Sequence, residues 1–419
     1  MHEIGNGIFK SDINDDIYII GDIHGDYQCL LHCLIDLCKV CNISNMFNDT
    51  EFSTNNREYI NWNINNKSTI VFCGDMIHRK RFETILDDEC SDIFILKTLI
   101  RLKKEAISNG GNIILVSGNH EIMNIVTPHY DAYVSPMNIK TNNLYFKNPD
   151  FVNTYIENSY AWIKLNDILI THAGLCSEYL DEDKYSENTV NDINDEYKKC
   201  FKDLIHLKYS KSVSYSLFIK YDDNHEKTHN MFWCREWGYG TIDCNKLKKV
   251  LDKVNCEKMI IAHCPQFANP KNPQMINFEC KNNNNEYLLA RIDLGMSRCF
   301  DYNDKKLFIS HLSKNHNRKM AVLKLHNDNN NLYFDSNSVV TKKLSCIQYL
   351  LLKYGLYEKD WKECHINTNW LGFKYINNMN NIEKCPIDDQ DGICCILSTI
   401  LNNKCDFCSI NEYKKICVK

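Results

Sequence analysis

The chain has 419 residues, 44% of them hydrophobic and 25% charged, with a formal net charge of −5. That length leaves room for two or three domains, and the apolar fraction supports a sizeable core. The acidic balance argues against nucleic-acid binding through overall charge, and no stretch approaches the roughly 18 apolar residues of a membrane span.

The N-terminus, MHEIGNGIFK, lacks a basic region followed by an apolar run, so no signal peptide is expected. The 22 cysteines are scattered along the whole chain. Together these features lead to the expectation of a cytoplasmic protein with reduced thiols, most of them small buried hydrophobes.

In chain order, the first β-type run, Ile17 to Ile20, ends on Gly21-Asp22. A helical pattern follows from Tyr27 to Lys39, with Leu30, Leu31, Leu34, Ile35 and Leu37 on its apolar face. Residues 42–67 are polar and Asn-rich and read as an insertion or loop. Thr69 to Cys73 is a second β-type run and ends on Gly74-Asp75. A helix is predicted over Asp92 to Ile107, from Ile93, Leu96, Leu99 and Ile100. Asn112 to Val116 ends on Ser117-Gly118-Asn119-His120, Ile168 to Ile170 on Thr171-His172, and Met259 to Ile261 on Ala262-His263.

Residues 177–226 show little strand character and read as helical cap material. Ala321 to Leu325 and Leu332 to Phe334 are predicted to pair across an Asn-rich turn. The stretch from Thr341 onward carries eight of the cysteines, including the pair Cys405 and Cys408. One CxxC with irregular partners is a weak zinc signal, and buried free thiols are the preferred reading. The division expected is a domain over 1–335 and a cysteine-rich extension over 336–419. Near-continuous apolar strands alternating with helices give an α/β class with covered sheets, in which ligands gather at the carboxyl ends of strands.

Those strand ends carry Asp22, His24, Asp75, Asn119, His120, His172 and His263. Asp, Asn and His suit borderline divalent ions such as Mn, Fe or Zn. A set of this size can hold two ions, with one carboxylate bridging and a shared water becoming hydroxide near neutral pH. The glycines before Asp22, Asp75 and Asn119 are expected to let the backbone turn off each strand. Any one Gly-Asp or strand-end histidine is usually structural; the joint order is what carries weight. In VFCGDMIHRKRF, residues 71–82, the basic run Arg79-Lys80-Arg81 could be a solvated turn or an anion clamp on position alone.

GDIHGD, GDMIHR, GNHE, THAG, AHCP and DLGMS in this order resemble the calcineurin-like metallophosphoesterase superfamily. Within it they look like the phosphoprotein phosphatases, in the style of the bacterial-like (Shewanella-like) branch. The resemblance spans about Asp16 to Leu325 and implies a layered sandwich of two β-sheets flanked by helices.

It also implies roles. Asp22, His24 and Asp75 hold one metal, and Asp75, Asn119, His172 and His263 the other. His120 is the general acid, and Arg79 clamps the phosphate with Arg235, which lies in a stretch similar to the family's LWxR. Glu121 orients one of these arginines. A metal-dependent phosphomonoesterase is therefore expected, most simply a protein serine/threonine phosphatase acting on a phosphorylated protein or other phosphate ester.

Two positions depart from the family's GDxVDRG motif. His78 stands where relatives have Asp, and Lys80 where they have Gly. That Asp pairs with the catalytic histidine, and His78 cannot supply its negative charge. Asp87 or Asp88 could fold back to replace it. The departure keeps two alternatives in play, a diadenosine polyphosphate or nucleotide hydrolase and a catalytically weakened metal-binding scaffold.

Overall fold

The structure is a computed structural model. It describes residues 1–12, 15–49, 54–80, 89–127, 133–136, 138–177, 189–205, 218, 231–266, 275–297, 299, 319–328 and 331–343. The chain forms two compact units, residues 1–302 with 320–342 and residues 303–319 with 343–419. The second lies almost wholly outside the described residues, as do Arg81, Asp87, Asp88 and the Cys405 to Cys408 pair.

Among the described residues sixteen strands run in chain order as β1 (His2–Gly5), β2 (Ile8–Lys10), β3 (Ile17–Ile20), β4 (Cys41–Asp49), β5 (Thr54–Trp62), β6 (Thr69–Phe72), β7 (Asn112–Val116), β8 (Ser159–Tyr160), β9 (Trp162–Leu165), β10 (Ile168–Thr171), β11 (Lys258–Ile261), β12 (Asn277–Lys281), β13 (Tyr287–Arg291), β14 (Lys319–Asp328), β15 (Asn331–Tyr333) and β16 (Val339–Lys343). The α-helices are α1 (Tyr27–Leu31), α2 (Asp92–Ser108), α3 (Asn119–Val126), α4 (Ile139–Phe146), α5 (Pro149–Asn158), α6 (Thr189–Ile205) and α7 (Cys244–Lys253).

One sheet has the order β15-β14-β3-β6-β7-β8, with β16 beside β14. Its strands β3, β6, β7 and β8 are parallel. The other sheet has the order β1-β2-β9-β10-β11-β13-β12, and β10, β11 and β13 are parallel. The runs IYII, TIVF, ILIT and KMII are buried at every position. Sheets covered on both faces produce that pattern, and α2 packs on β7 while α6 packs on β9. The two sheets meet at their carboxyl ends, where His172 Nδ1, just after β10, hydrogen-bonds Cys73 O, just after β6, at 2.7 Å. The architecture is a layered α/β sandwich of two seven-stranded sheets flanked by helices, as expected.

Several local expectations change. The Asn-rich stretch 42–67 contains the antiparallel hairpin β4–β5. Its inner residues Glu58, Ile60 and Trp62 are buried, and Tyr27 Oη donates to Glu58 O at 2.7 Å. The helix predicted from Tyr27 is α-helical only to Leu31 and continues as a π-helix over His32–Leu37.

The expectation of reduced thiols fails at four positions, because Cys176 is bonded to Cys234 and Cys244 to Cys280. The fold brings their Cα atoms to 5.9 and 5.4 Å, within disulfide range. Separations of 58 and 36 residues hide such pairs from a sequence reading. Elsewhere Cys33, Cys38, Cys41, Cys73 and Cys256 are buried free thiols. Burial pushes the thiols of Cys41 and Cys256 up to about 12, which suits packing rather than reactivity.

Among the described residues no helix is long and apolar enough to cross a membrane.

Candidate active site

Six parallel strand ends, three from each sheet, deliver the polar residues. Asp22 and His24 follow β3, Asp75 follows β6, and Asn119 and His120 open α3 after β7. From the other sheet, His172 follows β10, His263 follows β11 and Asp293 follows β13. All eight are buried.

One carboxylate oxygen sits at the centre. Asp75 Oδ2 is 3.4 Å from His172 Nε2, 3.7 Å from His120 Nε2 and 3.8 Å from His24 Nε2. On one side Asp75 groups with His24 and His120, on the other with His172 and His263. His172 Nε2 is 2.9 Å from Asn119 Oδ1, and His263 Nδ1 is 3.1 Å from Asn119 Oδ1 and 3.2 Å from His172 Nε2. Atoms bound at ~2.1 Å to one ion stand ~3.0–3.4 Å apart, so this spacing fits a shared cation.

The charges agree. Burial opposes ionisation of Asp75, but the imidazoles of His120, His172 and His24 outweigh it and hold its carboxyl well below the usual range. Burial, then the charges of Asp293 and Asp75, push the Asp22 carboxyl well above that range. Burial likewise raises Asp293 to about 6. Asp22 Oδ2 and Asp293 Oδ2 are buried with no hydrogen-bond partner among the described residues. Divalent cations would relieve both the repulsion and the lost hydration, so the donor set fits the expected ions.

The backbone is shaped to bring these groups together. Gly74 adopts a left-handed φ of 92°, and a Cβ there would lie 2.6 Å from Gly118 Cα. Gly118 has an ordinary φ of −102°; it is needed because a Cβ would lie 2.2 Å from Asp75 Oδ1. The turn expected at every glycine is thus real at Gly74, whereas Gly118 serves close approach. His24, Asp75, His78 and His263 also lie in the left-handed region, with φ of 45°, 51°, 75° and 67°. Non-glycine residues held there cost roughly 1–3 kcal/mol each and cluster at functional sites.

Glu121 corrects an expectation. The resemblance gives it an arginine to orient. Instead its carboxylate accepts from the backbone N–H groups of Asp75 (3.0 Å), Met76 (2.8 Å), Ile77 (3.3 Å) and Gly118 (2.8 Å). It is fully buried and splints the Asp75 turn to the start of α3. Burial, then the charge of Asp75, raise its carboxyl to about 7 against the pull of the N–H groups.

The two arginines differ. Arg79 is buried, with Nη1 at 3.3 Å from Ser297 Oγ and 3.6 Å from Asp26 Oδ2. Arg235 is exposed, and its Nη1 lies 3.7 Å from the Sγ of Cys264, the neighbour of His263. The Cys176–Cys234 disulfide ties its loop to the segment after His172. Glu236 adds to the tie by accepting from Ser177 N and Oγ, both at 2.7 Å.

His78 does sit against the expected general acid. Its Nδ1 is 2.6 Å from His120 Nδ1, and its backbone N–H donates to Asp92 Oδ1 at 3.1 Å. The ring of Tyr133 packs on His120 at 5.1 Å. The sequence reading missed Asp293, Ser297, Asp26 and Tyr133 as site residues. The first two lie in the DLGMS stretch and the third ends GDIHGD, so three were within motifs already singled out. Nothing local marks Tyr133.

Strand ends that converge on one shared carboxylate define a metallophosphoesterase-type centre. Residues 16–265 match the calcineurin-like phosphoesterase family, and the chain belongs to that family. Among relatives it is similar to Shewanella-like protein phosphatase 1 of Plasmodium berghei (strain Anka), at 28% identity over 304 residues and 69% of each chain. Among solved structures it is similar to the cold-active protein-tyrosine phosphatase of a psychrophilic Shewanella species, at 19% identity over 78% of each chain with a TM-score of 0.49. The phosphatase domain of the Legionella effector WipB is also similar, at 14% identity over 56% of this chain and 91% of that one, with a TM-score of 0.29.

Proposed function

We propose that the chain is a dinuclear metal-dependent phosphatase that hydrolyses phosphate monoesters on proteins. The observation that carries the reading is Asp75 Oδ2, which faces His24 and His120 on one side and His172 and His263 on the other. In this reading Asp22, His24 and Asp75 hold one divalent ion, and Asp75, Asn119, His172 and His263 hold the second, as Mn, Fe or Zn. Such ions supply Lewis acidity and a hydroxide nucleophile at neutral pH.

The chain's own residues do the rest. In this reading Arg235, which is exposed, meets the incoming phosphate, and Arg79, held by Asp26 and Ser297, adds positive charge. His120 Nε2 faces Asp75 and meets the leaving oxygen. Phosphoprotein is favoured as substrate by the name of the Plasmodium relative, a protein phosphatase.

The choice among phosphoprotein esters turns on His78. A serine or threonine alkoxide needs a proton as it leaves, and the carboxylate that relatives place beside the catalytic histidine is absent here. The His78–His120 contact therefore favours esters with acidic leaving groups. The deciding experiment is hydrolysis of p-nitrophenyl phosphate, a phosphopeptide and diadenosine tetraphosphate, each with added Mn. Turnover of the first two is expected. Turnover of the dinucleotide alone would overturn the reading in favour of a nucleotide hydrolase.

A further inference from the structure

We propose that Asp293 is a further ligand of the metal centre, a third carboxylate on the ion that Asp22, His24 and Asp75 hold, and that it fits that position to Mn while the opposite one favours Zn. The inference rests on the dinuclear reading above and extends it to a residue outside the expected ligand set. Strand register places Asp293 there. β13 pairs in parallel with β11, with Ile261 opposite Arg291, and Ile292 N donates to Ile261 O at 2.8 Å. Two residues beyond Ile261 and Arg291 stand His263 and Asp293. Asp293 therefore holds on β13 the place that His263 holds on β11, and it is buried.

The two sheets come close enough here for Asp293 to meet Asp22. A Cβ on Gly21 would lie 2.6 Å from Ile292 O, so the backbones touch one residue before each acid. The two carboxylates stand within hydrogen-bonding reach of each other, and the charges of Asp75 and His172 also act on Asp293. A residue outside the expected set thus shares the neighbourhood of three residues within it.

One oxygen of Asp293 is accounted for within the chain and the other is not. Oδ1 accepts from Gly295 N at 2.9 Å, in a turn that Gly295 makes with a left-handed φ of 60°. That bond fixes the direction of the carboxylate. Oδ2 is buried without a hydrogen-bond partner among the described residues, and so is Asp22 Oδ2. A buried carboxylate with a purely structural task finds donors for both oxygens, as Glu121 does with four backbone N–H groups. Two bare oxygens on neighbouring acids call for a cation instead.

The donor sets of the two positions then differ. The first has the carboxylates of Asp22, Asp75 and Asp293 and the imidazole of His24. The second has the imidazoles of His172 and His263, the amide oxygen of Asn119 and the shared Asp75. Carboxylate oxygen suits Mn, and imidazole suits Zn. Zn generally binds a given set of such donors more tightly than Mn, so the selectivity shows as a smaller preference for Zn over Mn at the first position than at the second.

The test uses the full chain and the two metals alone. Wild type and Asp293→Asn, an isosteric change whose amide oxygen can still accept from Gly295, are stripped with chelator and titrated with Mn and with Zn by calorimetry, and bound ions are counted by elemental analysis. Wild type should bind about two ions per chain, and Zn added to the Mn-loaded form should displace one before the other. Asp293→Asn should keep the second ion. It should weaken Mn at the first position by more than the roughly 10- to 100-fold that loss of a supporting hydrogen bond costs, and weaken Zn there less. Crystals of wild type grown with Mn decide the ligand without any variant, since an Asp293 oxygen should lie about 2.2 Å from one ion. Unchanged Mn affinity in a folded Asp293→Asn, or both Asp293 oxygens beyond about 3 Å from either ion, would overturn the proposal. Equal losses for Mn and Zn would overturn the selectivity. A wild type that binds a single ion would sink the dinuclear reading, and the distance from Asp293 to that ion would still decide whether Asp293 is a ligand.

Discussion

His78 Nδ1 lies 2.6 Å from His120 Nδ1, both rings buried, and His78 stands where the resembled GDxVDRG motif carries Asp. A second imidazole supplies no negative charge to sustain a proton on His120. His78→Asp should therefore raise kcat on phosphoserine more than on p-nitrophenyl phosphate, by about tenfold or more, since only the alkoxide needs strong protonation. Steady-state kinetics on both substrates check this. An equal change on both would mean that His78 acts on something other than the leaving group.

The substrate clamp is expected to separate from the metals. Arg235→Ala, at an exposed side chain, should weaken inhibition by inorganic phosphate while metal content stays at the wild-type level. A lost charge-assisted hydrogen bond costs about 1.5–3 kcal/mol, or roughly 10- to 150-fold in affinity. Arg79→Ala should do the same but also lower the thermal midpoint, because it removes the buried positive charge beside the Asp26 carboxylate. Phosphate inhibition titrations and thermal melts of both variants distinguish the two.

Glu121→Gln should destabilise the site rather than slow the chemical step. The carboxylate accepts four backbone N–H groups, and a glutamine amide nitrogen cannot accept any. A loss of about 1–3 kcal/mol is expected, with metal affinity falling because the Asp75 turn and the start of α3 come apart. Thermal denaturation with and without added Mn would show it as a lower midpoint partly restored by the ion.

Reduction is expected to reach the phosphate clamp before the metals. Cys176–Cys234 closes a loop with a sequence separation of 58 and anchors the residue next to Arg235. Cys176→Ser should raise KM for phosphopeptide and lower stability by about 2–4 kcal/mol, leaving metal content unchanged. Dithiothreitol acting on wild type but not on the variant would tie the effect to this bond.

Much of the site was legible because each metal-type residue closes an apolar strand, so a local pattern carried the information. Asp22, Asp75, Asn119, His172 and His263 could be read that way, as could the α/β class with covered sheets; the two-sheet sandwich came from the family resemblance. Asp293 was harder. It reaches Asp22 only because β13 pairs in parallel with β11, a contact that no local pattern announces. The two disulfides were hidden for a like reason, their cysteines being 58 and 36 residues apart. Glu121 was found but misassigned, since sequence places a carboxylate yet does not say which N–H groups will surround it. The hairpin β4–β5 was masked by the many asparagines of the stretch 42–67, which surround the apolar residues Ile60 and Trp62 that bury its inner side.

Metal content and activity measured together on wild type and Asp75→Asn test the central claim most directly. With Asp75 Oδ2 serving both sides of the site, wild type should bind about two divalent ions per chain and lose hydrolysis of p-nitrophenyl phosphate on chelation. Asp75→Asn should lose occupancy at both positions at once and retain almost no turnover. Two ions at full occupancy in the variant, or hydrolysis by wild type that survives complete chelation, would contradict the shared-carboxylate site.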